Sequence, residues 1–165
     1  MIQFRMLAVA FLFESNSVLL MERSPQASLF PGQWAPIGGH LEVSEMATPH
    51  DACLREISEE TGLSPKDVDD LSLRYVMHRM RDDEIRTQYV YFGQARTRHI
   101  QGNDEGKLYW VPLTNVLDLD MSATTRFLFQ HYMEIGKHLK SPFIGALDGS
   151  SGGPMVNWIP ISDWL

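Results

Sequence analysis

A helix that opens on proline, closes on glycine and carries three glutamates on one side is the feature that most narrows what this chain can fold into. Thr48-Pro49 places a capping hydroxyl before proline at the first helical position, and Asp51 adds an acid to the first turn. The helix is predicted to run through Glu60 and stop at Thr61-Gly62, with Gly62 as a left-handed cap. Glu56, Glu59 and Glu60 lie at i, i+3 and i+4, within an arc of roughly 100° at 100° per residue. Leu54 and Ile57 point elsewhere and are expected to face a core. Carboxylates this close repel one another, and no Lys or Arg is expected on their arc. A divalent cation would relieve the repulsion, and oxygen-only ligands suit Mg²⁺ or Mn²⁺ better than zinc. Acidic helix faces commonly just meet water, so the surroundings must decide.

Those surroundings are strands and turns. Phe4–Glu14 and Ser17–Arg23 are two apolar, β-rich runs around a short turn at Asn16, which predicts a hairpin. From Ser24 to Gly39, prolines and glycines argue against a helix, and Phe30 and Trp34 are expected to anchor this loop by packing. Leu71–Met80 and Ile85–Ala95 read as two more strands, with Gln88, Val90 and Phe92 alternating with Tyr89, Tyr91 and Gly93. Arg98–Gly106 is a loop, and Leu108–Val111 a short strand ending at Pro112. Ser122–Leu139 has helical spacing, with Phe127, Leu128, His131, Ile135 and Leu139 on one side. Phe143–Leu147 and Met155–Ile159 flank DGSSGGP as a C-terminal hairpin with exposed-looking Trp158 and Trp164. That hairpin is expected to cover a homodimer interface or to close the sheet edge. Pattern alone gives α/β or α+β, a mixed sheet packed between helices.

Composition limits the function. At 165 residues one domain is expected, residues 1–165, with the hairpin at about 141–165 as an extension. The net charge of −7 argues against a sequence-independent duplex nucleic-acid binder, which needs a basic face. The lone Cys53 excludes an internal disulfide and a Cys-based zinc site and suits a reducing compartment. The apolar stretch Met6–Phe13 is too short to span a bilayer and reads as a buried strand, not a signal peptide. A cytoplasmic protein with no membrane partner is the expectation.

The stretch Gly38–Leu63, GGHLEVSEMATPHDACLREISEETGL, resembles the Nudix hydrolase box: Gly, five residues, Glu, seven residues, then Arg-Glu-aliphatic-X-Glu-Glu-X-Gly-aliphatic. Gly39 is followed by five residues and Glu45, and the second half is met in full from Arg55 to Leu63. Nine residues, not seven, separate Glu45 from Arg55, and the two extra ones are placed in the loop before Thr48. The resemblance extends weakly to the preceding hairpin, the LLMER strand end, the W-x-P-x-GG approach and Glu105–Trp110. It implies an α/β/α sandwich around a mixed sheet, and water attack on a nucleoside diphosphate linked to another moiety.

Carried over by position, the resemblance makes Glu56, Glu59 and Glu60 metal ligands, with the Gly39 backbone adding a carbonyl and Gly38 and Gly39 letting phosphates approach. Arg55 would hold a neighbouring carboxylate. The general base is open between Glu56 in the helix and Glu105 in the later loop. Arg23 is a candidate phosphate partner, with Arg79, Arg81 and Lys107 weaker ones, and His40 a supporting group. Trp34, Tyr89 and Tyr91 are of the type that stacks a base, although aromatics on strands usually serve the core. Asp118 and Asp120 are candidate base readers in a stretch lacking the Trp and paired Asp of oxidised-purine members. The preferred activity is a Mg²⁺-dependent (d)NTP or modified-nucleotide pyrophosphohydrolase. ADP-ribose, nucleotide-sugar, dinucleoside-polyphosphate or RNA-cap hydrolysis and a non-catalytic nucleotide sensor are the alternatives.

Overall fold

The computed structural model describes residues 1–28, 30–81, 83–148 and 155–162. The predicted DGSSGGP turn beyond Asp148, and Trp164, lie outside these residues, as does the side chain of Arg81. Nine strands form one mixed sheet among the described residues: β1 (Gln3–Glu14), β2 (Ser17–Arg23), β3 (Trp34–Ala35), β4 (Ile37–His40), β5 (Val68–Arg81), β6 (Glu84–Ala95), β7 (Gly106–Pro112), β8 (Phe143–Asp148) and β9 (Met155–Pro160). Their order is β3-β2-β1-β6-β5-β8-β9, with β4 also on β1 and β7 on β2. The β1–β6 and β5–β8 pairs are parallel and the other pairs antiparallel.

Helix α1 (Pro49–Thr61) covers one face and α2 (Ala123–Glu134) the other. This is why β1 is nearly continuous in apolar residues: a strand buried on both sides has no polar face to show. Ala8, Ala10 and Leu12 meet Ala52, Cys53 and Ile57 of α1, while Val9, Phe11 and Phe13 join Leu128 and Phe129 of α2. On the α2 side Phe11 and Phe92 stack at 4.8 Å. The layers are those of an α+β protein with a mixed sheet and few helices.

Several local expectations need correction. Gly62 caps α1 at φ +73°, as the stop signal requires, but the Thr48 hydroxyl makes no capping bond; its carbonyl accepts from Asp51 N–H and Ala52 N–H instead. The second helix ends at Glu134, and Ile135 and Leu139 are exposed. Phe30 does not anchor its loop: it is exposed, at φ +51°. Trp158 is half-buried on Tyr75 and His131, and β9 is the outermost strand at that end of the sheet. No helix among the described residues is long and apolar enough to cross a membrane.

His131 supplies a pH signature. Its Nδ1 lies 2.8 Å from the Tyr75 hydroxyl, and its ring edge meets Phe143 at 4.8 Å. Burial lowers its pKa below the ordinary 6.5. The unfolded chain therefore takes up a proton before the folded one does, and stability falls as pH drops below about 6.5 until the folded pKa is reached. Glu60 and Glu56, raised by burial, act in the opposite direction over the same range, so His131 is read from the difference between variants. The urea midpoint of the parent relative to that of His131→Gln is expected to fall from pH 7 to pH 5.5, and a difference unchanged with pH would count against this. His40, also lowered by burial, contributes with the same sign as His131.

Candidate active site

The site forms where α1 crosses β4, and two glycines permit the crossing. Gly38 has φ +139°, and a Cβ there would lie 2.2 Å from the Ala8 carbonyl oxygen. A Cβ on Gly39 would lie 2.7 Å from both carboxylate oxygens of Glu56. The backbone is thus pressed directly against helix carboxylates, which only glycine allows. From this position Gly38 N–H donates to Glu60 Oε2 at 2.8 Å.

Glu60 is 4% exposed. Burial pushes its carboxyl up to about 8, the nearby Glu105 and Glu56 carboxylates push the same way, and the Gly38 N–H bond opposes them. Glu105 also hydrogen-bonds Glu60, which requires a proton between the two carboxyl groups. The strand pairing explains how Glu105 arrives: Arg23 at the end of β2 opposes Gly106 at the start of β7, and Ser24 N–H donates to the Glu105 carbonyl at 2.9 Å. Glu56 is raised as well, chiefly by burial, with Arg55 opposing.

Arg55 is the hub. Its Nε and Nη2 grip Glu45 at 2.7 and 2.9 Å, a bidentate pair. Its Nη1 reaches Glu56 Oε1 at 2.9 Å and Glu59 Oε2 at 3.0 Å, and Nη2 also donates to the His40 carbonyl at 3.1 Å. The pairing holds the Glu45 carboxyl down at about 2. Glu45 reaches Arg55 despite the longer spacing because the chain turns back at Met46–Ala47, with Thr48 N–H donating to the Glu45 carbonyl at 2.8 Å. Glu45 itself ends a 3₁₀ turn, Val43–Glu45, in which Glu42 N–H donates to Glu45 Oε2 at 2.8 Å.

The helix charge is therefore not unrelieved, as the wheel suggested: Arg55 curls onto two of its carboxylates. Glu59, with its side chain 59% exposed, sits on Arg55 and acts on Glu56 together with Glu105, while Glu105 and Glu56 are the carboxylates that act on Glu60. No group of three acidic, His or Cys side chains among the described residues is preassembled as a metal cage. The donor set nevertheless fits a hard divalent cation: all ligand atoms are oxygen, and the buried Glu60 carboxyl holds a proton that a cation would displace.

Beside Gly38 opens a cleft on the α2 face of the sheet. Leu7, Val9 and Met77 line it, together with Trp34, whose ring centroid is 5.2 Å from that of Tyr109. Arg23 and Arg79 line it too, and Arg23 with Lys107 also borders a second hollow by the Glu105 loop. Tyr89 is not brought there. It packs on the α1 face, as does Tyr91, while its strand neighbour Gln88 lines the cleft. Asp118 and Asp120 are exposed and outside the lining; the Asp120 carbonyl accepts from Trp34 N–H at 2.8 Å. Arg86, Gln33, Ser122 and Thr125 line the cleft and were not singled out from sequence. The β6 alternation carried the signal for Arg86 and Gln88, since residues sharing parity with core Val90 and Phe92 share their face.

The profile described as NUDIX domain matches residues 3–132. The chain is 45% identical over 62 residues to the m7GpppN-mRNA hydrolase NUDT17 of Xenopus laevis, covering 36% of this chain and 20% of that one. The matched segment thus spans about a fifth of that relative. Identity to the nucleoside triphosphatase NudI of Escherichia coli (strain K12 / DH10B) is 29% over 120 residues, covering 67% of this chain and 84% of that one. The crystal structure of MutT protein from Methanosarcina mazei Go1 superposes with a TM-score of 0.70 at 19% identity, covering 84% of this chain and 98% of that one.

The glycine crossing makes a sharp prediction. Gly38→Ala places a methyl group onto the β1 backbone at a positive φ, and is expected to destabilise the fold by about 2 kcal/mol or more. A thermal or urea melt checks it. A wild-type midpoint would contradict the close approach of β4 to β1.

Proposed function

Because the chain belongs to the Nudix hydrolase family, whose members are pyrophosphohydrolases acting on phosphoanhydride bonds, we propose that it is a Mg²⁺-dependent hydrolase of free nucleoside triphosphates, releasing a nucleoside monophosphate and pyrophosphate. The observation that carries this reading is the cluster of Glu56, Glu60 and Glu105 against the Gly38–Gly39 backbone, with Gly38 also lining the neighbouring cleft. The name of the NudI relative supports the substrate class.

Nudix hydrolases generally need divalent metal ions. Glu56, Glu59, Glu60 and the Gly39 carbonyl are the groups proposed to hold Mg²⁺, with Mn²⁺ as a substitute. A bound Mg²⁺ would offset the phosphate charge and acidify a water. The chain does the rest. Gly38 and Gly39 admit the phosphates without side-chain obstruction, and Arg23 neutralises one of them. Trp34 presents its face to the base. Arg55 is a positioning residue that holds Glu56 and Glu59 in reach. Water oxygen attacks phosphorus, the bridging P–O bond breaks, and the water proton passes to a carboxylate. Glu105 is the proposed base in preference to Glu56, because Arg55 Nη1 occupies one Glu56 oxygen at 2.9 Å and Glu56 is also proposed as a metal ligand.

Chromatographic analysis of the products formed from a panel of nucleoside triphosphates, ADP-ribose, a nucleotide sugar, a dinucleoside polyphosphate and a capped dinucleotide tests the reading, with a nucleoside monophosphate and pyrophosphate expected from the triphosphates. Activity should vanish in chelator and return with Mg²⁺. Glu59→Gln and Glu60→Gln should each lower kcat by about 100-fold or more, since several kcal/mol of charge stabilisation are lost. Full activity in chelator, or in both variants, would contradict the metal assignment.

A further inference from the structure

The cleft is cationic in a chain whose net charge is −7: its described lining includes Arg23, Arg79 and Arg86 and no aspartate or glutamate. Register explains the concentration. Arg5, Arg86 and Arg79 stand abreast on β1, β6 and β5, so their side chains leave the same sheet face. Like charges in such a row repel, and Glu84 offsets them: its Oε2 meets Arg5 Nε at 2.8 Å, and its Oε1 meets Arg86 Nε at 3.0 Å and Nη2 at 2.8 Å. Arg86 is thereby clamped by one edge and has its side chain 16% exposed, and its Nη1 makes no hydrogen bond within the described residues. A fixed guanidinium with donors to spare is a preorganised reader of acceptors.

The row lies at a suitable distance for reading a base. Gly38, beside the carboxylates, pairs with Val9 on β1, four residues along the strand from Arg5; at 3.3 Å per residue this separation is about 13 Å. Between the two ends, Trp34, Leu7, Val9 and Met77 supply apolar walls for a flat ring. Phosphates at Gly38 and a base reaching the arginines span such a cleft, whereas a second phosphate group would not use those walls.

We propose that Arg79 and Arg86 determine base specificity, selecting nucleotides whose base carries a carbonyl where adenine and cytosine carry an amino group: 6-oxopurines and uracil. The inference rests on the nucleotide-hydrolase reading above. Guanidinium groups only donate. O6 and N7 of a 6-oxopurine both accept, and a bidentate pair of this kind discriminates about tenfold or more against a base that cannot form it. An exocyclic amino group would set donor against donor and leave both desolvated without partners. Gln33 and Gln88 offer both a donor and an acceptor, so the arginines set the preference.

ITP against ATP and UTP against CTP are the test pairs, with turnover and calorimetric binding of the α,β-methylene analogues measured separately in Mg²⁺. The parent protein is expected to favour ITP over ATP, and UTP over CTP, by about tenfold or more in both readouts. Arg86→Gln and, independently, Arg79→Gln should bring each ratio to within about threefold. A binding preference without turnover would support the specificity and overturn the hydrolase reading. Turnover with equal ratios, or ratios unchanged in both variants, would overturn the specificity and leave the hydrolase reading standing. Failure to bind any of the four would overturn both.

Discussion

Glu60 is a carboxyl group placed where its anion is not stable alone, and the rest of the site is arranged around that fact. It is buried against Gly38 N–H and shares a hydrogen bond with Glu105. Burial makes the charge unfavourable, and the neighbouring carboxylates make it more so. One backbone hydrogen bond does not offset both. In the free protein a proton resolves the conflict; a divalent cation resolves it better, because it satisfies several oxygens at once. Site and fold meet at Gly38 and Gly39, where a side chain would hold the helix away from the strand.

Arg55 divides the remaining acids into two sets. It takes Glu45 as a bidentate partner and draws Glu59 and one oxygen of Glu56 toward itself. The carboxylates that press on Glu60 are then Glu56 from the same helix and Glu105 from the loop before β7. Covering both sheet faces with helices has a related consequence. The α1 face carries the acids, the α2 face carries the cleft and its arginines, and β4 is the short strand at which they meet.

Much of this was legible in the chain because it is local. Pro49 and Gly62 bound the helix, and Gly62 adopts the left-handed conformation that stop signal demands. The strand-rich runs paired as hairpins, β1 with β2 and β8 with β9. What was not legible depends on partners distant in sequence. The row of Arg5, Arg86 and Arg79 exists only through register across three strands. Tyr89 looked like a base platform until the covering of both faces placed it under α1. A helix wheel placed Arg55 away from the glutamate arc, but its long side chain bends back to Glu56 and Glu59. The extra two residues fall between Glu45 and the helix, where a turn at Met46–Ala47 lets Glu45 fold back onto Arg55.

The most direct test of the central claim locates the cation without any substrate. Mn²⁺ added substoichiometrically to ¹⁵N-labelled protein broadens the amide signals nearest its binding site. The account predicts broadening centred on Gly38, Gly39, Glu56 and Glu60, reversed by excess Mg²⁺ and lost in Glu60→Gln. Broadening centred on the exposed acids Asp118 and Asp120, or none at these four amides, would contradict it.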